Sequence, residues 1–122
     1  GIQTRQAGMT TAVIVNWNSG AHLEACVRSL LRNAPDVNIV VIDNASSDDS
    51  LEQLAAFRDQ VDIVRNSSNR GFAAAVNQGF AQSSSAYVLV LNPDIEVQPD
   101  SVNRMVEFNA PALPPKLSCH IR

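Results

Sequence analysis

Thr11–Asn16 reads TAVIVN, Asn38–Asp43 reads NIVVID and Ala86–Leu91 reads AYVLVL, with NPD following at 92–94. Each run is β-branched or aliphatic on both faces, too short for a helix, and gives way abruptly to Asn or Asp. That is the pattern of a parallel strand buried between two layers. Between the first two runs, Leu23, Cys26, Val27, Leu30 and Leu31 recur at helical spacing over 20–32, and Pro35 and Asp36 end the pattern. Asp49 stands three residues before Glu52, a capping-box-like start that predicts a helix carrying Leu51, Leu54, Ala55 and Phe57 or Arg58. Val61–Arg65 is a more polar third strand, expected nearer an edge. Gly71–Gln82 is an Ala-rich helix with Ala73, Val76 and Phe80 on one stripe, and Pro99–Phe108 is a last helix with Pro in its first turn.

Strand and helix in alternation predict βαβ units: a Rossmann-like three-layer α/β/α sandwich around a mostly parallel sheet. Ligands of such sheets bind beyond the carboxyl ends of the strands. Those ends are polar here. Asn16, Trp17 and Asn18 follow the first strand; Asp43 to Asp49 the second; Asn66 to Gly71 the third; Asn92, Pro93 and Asp94 the fourth. Carboxylates, amides, hydroxyls and Arg70 on one rim suit a ligand with sugar hydroxyls and a diphosphate. Ser46, Ser47 and Asp49 read as caps and turns. Asp43 and Asp94, each directly after an apolar strand, read as functional. Trp17 reads either as a stacking surface for a base or as a packing anchor. Asn18-Ser19-Gly20 offers a helix N-terminus to an anion.

Composition narrows the classes. Of 122 residues, 45% are hydrophobic and 17% charged, enough for one packed domain. Nine basic against twelve acidic residues give a net charge of −3, which argues against a nucleic-acid binder. Two cysteines, Cys26 and Cys119, supply neither a disulfide framework nor a four-thiolate zinc site. No apolar run approaches the roughly 20 residues of a membrane span. The expectation is a cytoplasmic chain, free or at the inner face of the membrane. There is no G-x-G-x-x-G after the first strand, no P-loop and no G-x-S-x-G elbow. Residues 1–8 are polar and aperiodic and are set apart from the fold, which is expected over 9–110. The proline-rich tail, 111–122, reads as a linker, a wrapping arm or the scar of a truncation.

VIVNWN, VIDNASSDDS, NRGFAAAVNQGF and LVLNPDIEV, in that order and each at a strand end or helix start, together resemble the family-2 glycosyltransferases of GT-A fold, rhamnosyltransferase-like members in particular. The resemblance covers Thr11 to about Phe108. It implies a sheet order 3-2-1-4, and Asn16, Trp17 and Asn18 beside a nucleobase. It implies Asp43 on base or ribose, and Asn69, Arg70, Gly71 and Asn77 beside the nucleotide. It implies that Asn92-Pro93-Asp94 stands for the D-x-D motif that holds a divalent metal and the sugar diphosphate. With Asn92 in place of the first acid, Asp94 is the metal ligand, and affinity for Mg²⁺ or Mn²⁺ without nucleotide is expected to be low. The implied partners are a nucleotide-diphosphate sugar and a glycan or lipid-linked acceptor.

In the inverting members of that family the general base lies in the second half of the domain, and no residue here matches it. The chain is therefore expected to be the nucleotide-sugar-binding half, and no catalytic base is assigned. Two other readings stand beside this one: a non-catalytic nucleotide-binding or assembly module, and an unrelated doubly wound domain. The fourth strand, apolar and with no later strand to pair with, predicts a homo-oligomer formed on its open edge.

Overall fold

A computed structural model describes residues 10–85, 87–95 and the backbone of 117–121. Its elements are β1 (Thr10–Asn16), α1 (Ala21–Asn33), β2 (Asn38–Asp43), a 3-10 helix (Glu52–Gln60), β3 (Asp62–Arg65), α2 (Phe72–Gln82), β4 (Tyr87–Leu91) and β5 (Leu117–Ile121). All strand pairs are parallel, and the order is β3-β2-β1-β4-β5. The expected 3-2-1-4 sheet is present, and β3 is an edge strand as its polarity suggested.

Alternation along the strands builds two cores. Ala12 and Ile14 of β1 and Ile39 and Val41 of β2 pack with Leu23, Cys26, Val27 and Leu30 of α1 and with Leu51 and Leu54. Val13, Val40, Ile42 and Val88 face the other way, onto Ala75 of α2. One face is thus covered by α1 and the 3-10 helix and the other by α2, giving the three layers. Cys26 is a fully buried core residue.

Four expectations change. The segment after Asp49 is a 3-10 helix, which fits the spacing of Leu51, Leu54 and Phe57: residues three apart eclipse in a three-residue turn and form one narrow buried stripe. Asp49 is not its side-chain cap; its carboxylate accepts from Gln53 Nε2 at 2.9 Å. On α2 the buried residues are Ala75 and Gly79, because only the smallest residues let this helix lie against β1; of the expected stripe Phe80 is half-buried against the same core and Ala73 is exposed. Finally, β4 is not an open edge. Tyr87–Leu91 pairs in parallel with Leu117–Ile121, which begins directly after the last proline and Lys116, so the tail supplies an edge strand. The open edge on which the homo-oligomer was predicted is filled. The helix expected over 99–108 lies outside the described residues.

Candidate functional site

Register sets the rim. Asn16 of β1 is opposite Asp43 of β2, and Asp43 is opposite Arg65 of β3. Leu91, the last residue of β4, is opposite Ile14, so the Asn92 turn starts level with the end of β1. Four strand ends therefore line up, as the topology predicted.

The α1 face of the rim is organised by Asn16 and Asp43. Both are buried, at 0% and 3% exposure. Asn16 Nδ2 donates to Asp43 Oδ1 at 2.9 Å, to Ser50 Oγ at 2.9 Å and to Ser46 Oγ at 3.2 Å. Asp43 also accepts from the Ser46 hydroxyl and backbone N–H, at 2.7 and 3.1 Å. These bonds fold the 43–50 loop back over β1 and hold Ala45 at φ 65°, a left-handed conformation unfavourable for a residue with a Cβ. Asn16 Oδ1 is buried without a partner among the described residues.

Asn18 works on the same loop. Its Oδ1 accepts from the N–H groups of Ser47 and Asp48, at 2.7 and 3.3 Å, while its own N–H donates to Ser46 Oγ at 2.9 Å. The anion sought at the start of α1 is supplied by the chain itself: Gly20 N donates to Asp48 Oδ2 at 2.9 Å. The Ser50 hydroxyl, above all, holds the Asp48 carboxyl below its ordinary value, aided by the backbone N–H groups of Ser50 and Gly20 against a smaller opposing effect of burial.

The α2 face is organised by amides. Asn44 Oδ1 accepts from Asn66 Nδ2 at 3.0 Å and from the Arg70 backbone N–H at 3.2 Å, and Asn44 Nδ2 donates to the Gly71 carbonyl at 3.2 Å. Gly71 has φ 84° and ψ 168°, a region open essentially to glycine. Asn69 Oδ1 accepts from Gly71 N at 2.8 Å. The side chain of Arg70 is exposed, and Asn77 is exposed on the body of α2, five residues beyond its start at Phe72.

Beyond β4, Ile95 N donates to the Asn92 carbonyl at 3.1 Å, closing a turn with Pro93 and Asp94 at its centre. Asn92 is half-buried and Asp94 is exposed. Among the described residues no three His, Cys, Asp or Glu side chains come together, so the rim holds no ready-made cation cage. One carboxylate and one amide oxygen are hard donors that fit a Mg²⁺ or Mn²⁺ ion completing its shell with phosphate and water.

The two exposed large hydrophobic residues among those described are Trp17, at 56%, and Phe72, at 46%. Trp17 is thus no buried packing anchor; more than half of it is exposed at the end of β1. The rim brings together Asn16, Trp17, Asn18 and Asp43 on one side and Asn69, Arg70 and Gly71 on the other. Asn77 is on α2, next to Gln78, which bonds to Asn66 of the rim. Sequence reasoning missed Ser50 and Gln78, whose partners lie 34 and 12 residues away.

A parallel sheet of this order with a polar rim at its carboxyl ends is the layout of the GT-A glycosyltransferases. The chain belongs to glycosyl transferase family 2, whose family model matches residues 11–110. It is 31% identical over 99 residues to the succinoglycan biosynthesis protein ExoO of Rhizobium meliloti, covering 80% of this chain and 28% of that protein. It is 27% identical over 107 residues to the N-acetylglucosaminyl-diphospho-decaprenol L-rhamnosyltransferase of Mycobacterium tuberculosis, covering 78% and 35%. The fold matches the mannosyltransferase PcManGT of Pyrobaculum calidifontis, solved with GDP-Man and Mn²⁺, with a TM-score of 0.77 at 18% identity over 84% of this chain and 32% of that one. The chain thus spans about a third of the length of these proteins. No helix among the described residues is long and apolar enough to cross a membrane.

Proposed function

We propose that the rim binds a nucleotide-diphosphate sugar and that the chain carries the donor-binding part of a glycosyl transfer to a glycan or lipid-linked acceptor. The observation that carries this reading is the alignment of Asn16, Asp43 and the Asn92-Pro93-Asp94 turn at adjacent strand ends. It is supported by a fold shared with a mannosyltransferase held with GDP-Man and Mn²⁺.

In this reading the exposed Trp17 ring stacks on the nucleobase, at the open end of β1. Asn16 and Asp43, buried and bonded to each other, fix the 43–50 loop as one wall of the base and ribose pocket. Arg70, exposed beside the glycine turn, meets the diphosphate with a guanidinium suited to paired phosphate oxygens. Asp94 and Asn92 would hold the divalent cation, which when bound offsets the charge that builds on the departing diphosphate. No group in the chain is assigned the deprotonation of the acceptor hydroxyl, a step that an inverting displacement requires.

Calorimetry with UDP, GDP and dTDP, each with and without Mn²⁺, tests the reading. Metal-dependent binding of at least one of them is expected, and no binding of any would discard it. Turnover of the corresponding sugar donor then separates a complete transferase from a binding module.

A further inference from the structure

We infer that Asn44, backed by Asn66 and Gln78, is a positioning residue that clamps the Arg70–Gly71 turn and so sets where the Arg70 guanidinium points. The inference rests on the nucleotide-binding reading for its functional consequence, and on the bonds of the turn for the clamp itself.

The clamp takes hold of the backbone. Arg70 N–H donates to Asn44 Oδ1, Asn44 Nδ2 donates to the Gly71 carbonyl, and Gly71 N–H donates to Asn69 Oδ1. Three polar groups of the turn backbone, two N–H and one carbonyl, are therefore held by side-chain amides while the Arg70 side chain stays exposed. Asn44 is itself held. It is 3% exposed, its N–H donates to the Asn16 carbonyl at 2.9 Å, and its Oδ1 takes the bond from Asn66. Asn66 is 9% exposed, donates its N–H to the Asp43 carbonyl at 2.8 Å, and exchanges two bonds of 2.8 Å with Gln78 of α2. The chain of bonds thus runs from β1 and β2 through three amides to α2, with the turn closed between them.

The residue type matters. Asn44 must accept from Arg70 N–H and donate to the Gly71 carbonyl at once, which an amide does and a carboxylate does not. Aspartate at 44 would set an oxygen against the Gly71 carbonyl and a negative charge beside Arg70. A neutral amide fixes the turn and leaves the guanidinium free for a phosphate. Gly71, at a φ open to glycine, does not hold this geometry by its own preference. The clamp adds to the backbone bond that the Gly71 carbonyl accepts from Ala75 N–H at 3.2 Å.

The test uses Asn44→Ala, Asn44→Asp and Gln78→Ala, read by amide hydrogen exchange and by calorimetry with a nucleoside diphosphate and with its phosphate-free nucleoside. In Asn44→Ala exchange at Arg70 N–H is expected to rise by about tenfold or more, with the β1 and β2 amides still protected, whereas Asn44→Asp keeps that acceptor and loses the bond to the Gly71 carbonyl. Diphosphate affinity is expected to fall about tenfold, with nucleoside affinity unchanged. In an Arg70→Ala background Asn44→Ala is expected to cost no further affinity, because its effect passes through Arg70. Gln78→Ala, one amide further out, gives a smaller change of the same sign and keeps the test open if the Asn44 variants do not fold. Unchanged exchange at Arg70 in Asn44→Ala, equal losses for nucleoside and diphosphate, or losses that multiply with Arg70→Ala would overturn the inference. A wild-type chain that binds no nucleoside diphosphate would overturn the diphosphate role of Arg70 together with the reading of the rim; the exchange result would still decide the clamp.

Discussion

Replacing Gly79 by alanine tests the packing that seats α2 on the sheet. A Cβ at this position would lie 2.4 and 2.7 Å from Val13 Cγ1 and Cγ2 and 3.1 Å from Val13 Cβ. Carbon atoms pack at about 3.5–4.0 Å, so the nearest approach is short by roughly an ångström or more. Val13 has little room to yield: it is fully buried, β-branched, and on a strand flanked by β2 and β4. Either α2 lifts from the sheet or Val13 leaves its rotamer. Overpacking of this kind costs about 1–3 kcal/mol, and a shortfall this large belongs in the upper half of that range. Alanine returns about 1 kcal/mol of helix propensity, leaving a net loss of about 1–2 kcal/mol. Urea unfolding followed by circular dichroism should show a lower midpoint at unchanged slope. Val13→Ala removes both clashing methyl groups, so the double variant should be more stable than the sum of the two single losses by about 1 kcal/mol. A Gly79→Ala protein as stable as wild type, or more stable by the propensity difference, would refute the reasoning. Because Gln78 is the neighbouring residue and is bonded to Asn66, the same substitution should also loosen the rim.

Three further outcomes are expected. Asp48 is held below its ordinary value of 3.8, first by the Ser50 hydroxyl, so its stabilising contribution is full above that value and is lost as pH falls through the lower folded one; Asp48→Ala should flatten the acid limb of stability below 3.8, followed by the fluorescence of the single tryptophan, Trp17. Asp43→Ala leaves the Ser46 N–H without its acceptor and removes one of the three bonds of Asn16 Nδ2, which should lower stability by about 1–3 kcal/mol in thermal unfolding and weaken nucleoside diphosphate binding in calorimetry. Asp94→Asn should abolish the Mn²⁺-dependent part of nucleotide binding and Asn92→Asp should strengthen it; titrations unchanged in both variants would make the turn after β4 a turn only.

The sheet was legible because its signal is local. β2 falls on the predicted residues, β1 and β3 differ from prediction by one residue at the start, and β4 ends where predicted, since a run of aliphatic residues ending in Asn or Asp has few ways to fold. The rim followed from topology alone. What sequence reasoning missed depends on partners distant in the chain. The Asp48 carboxylate reaches Gly20 across 28 residues, and the reciprocal bond of Asn66 and Gln78 joins the end of a strand to the middle of a helix. Nothing in either residue type announces such pairs. The fifth strand was missed for another reason: prolines at 111, 114 and 115 forbid a strand where they stand, but place no such limit on Leu117–Ile121 beyond them.

The central claim is that the carboxyl ends of the strands are a nucleotide site, and two-dimensional amide NMR during titration with a nucleoside diphosphate tests it most directly. With Mg²⁺, shifts are predicted at residues 16–18, at 43–46 and at 69–71. With Mn²⁺ in its place, paramagnetic broadening is predicted to centre on Asn92 and Asp94 and to require the nucleotide. Shifts confined to the opposite end of the sheet, around Thr11, Ser83 and Ser85, or a spectrum that does not change, would contradict the account.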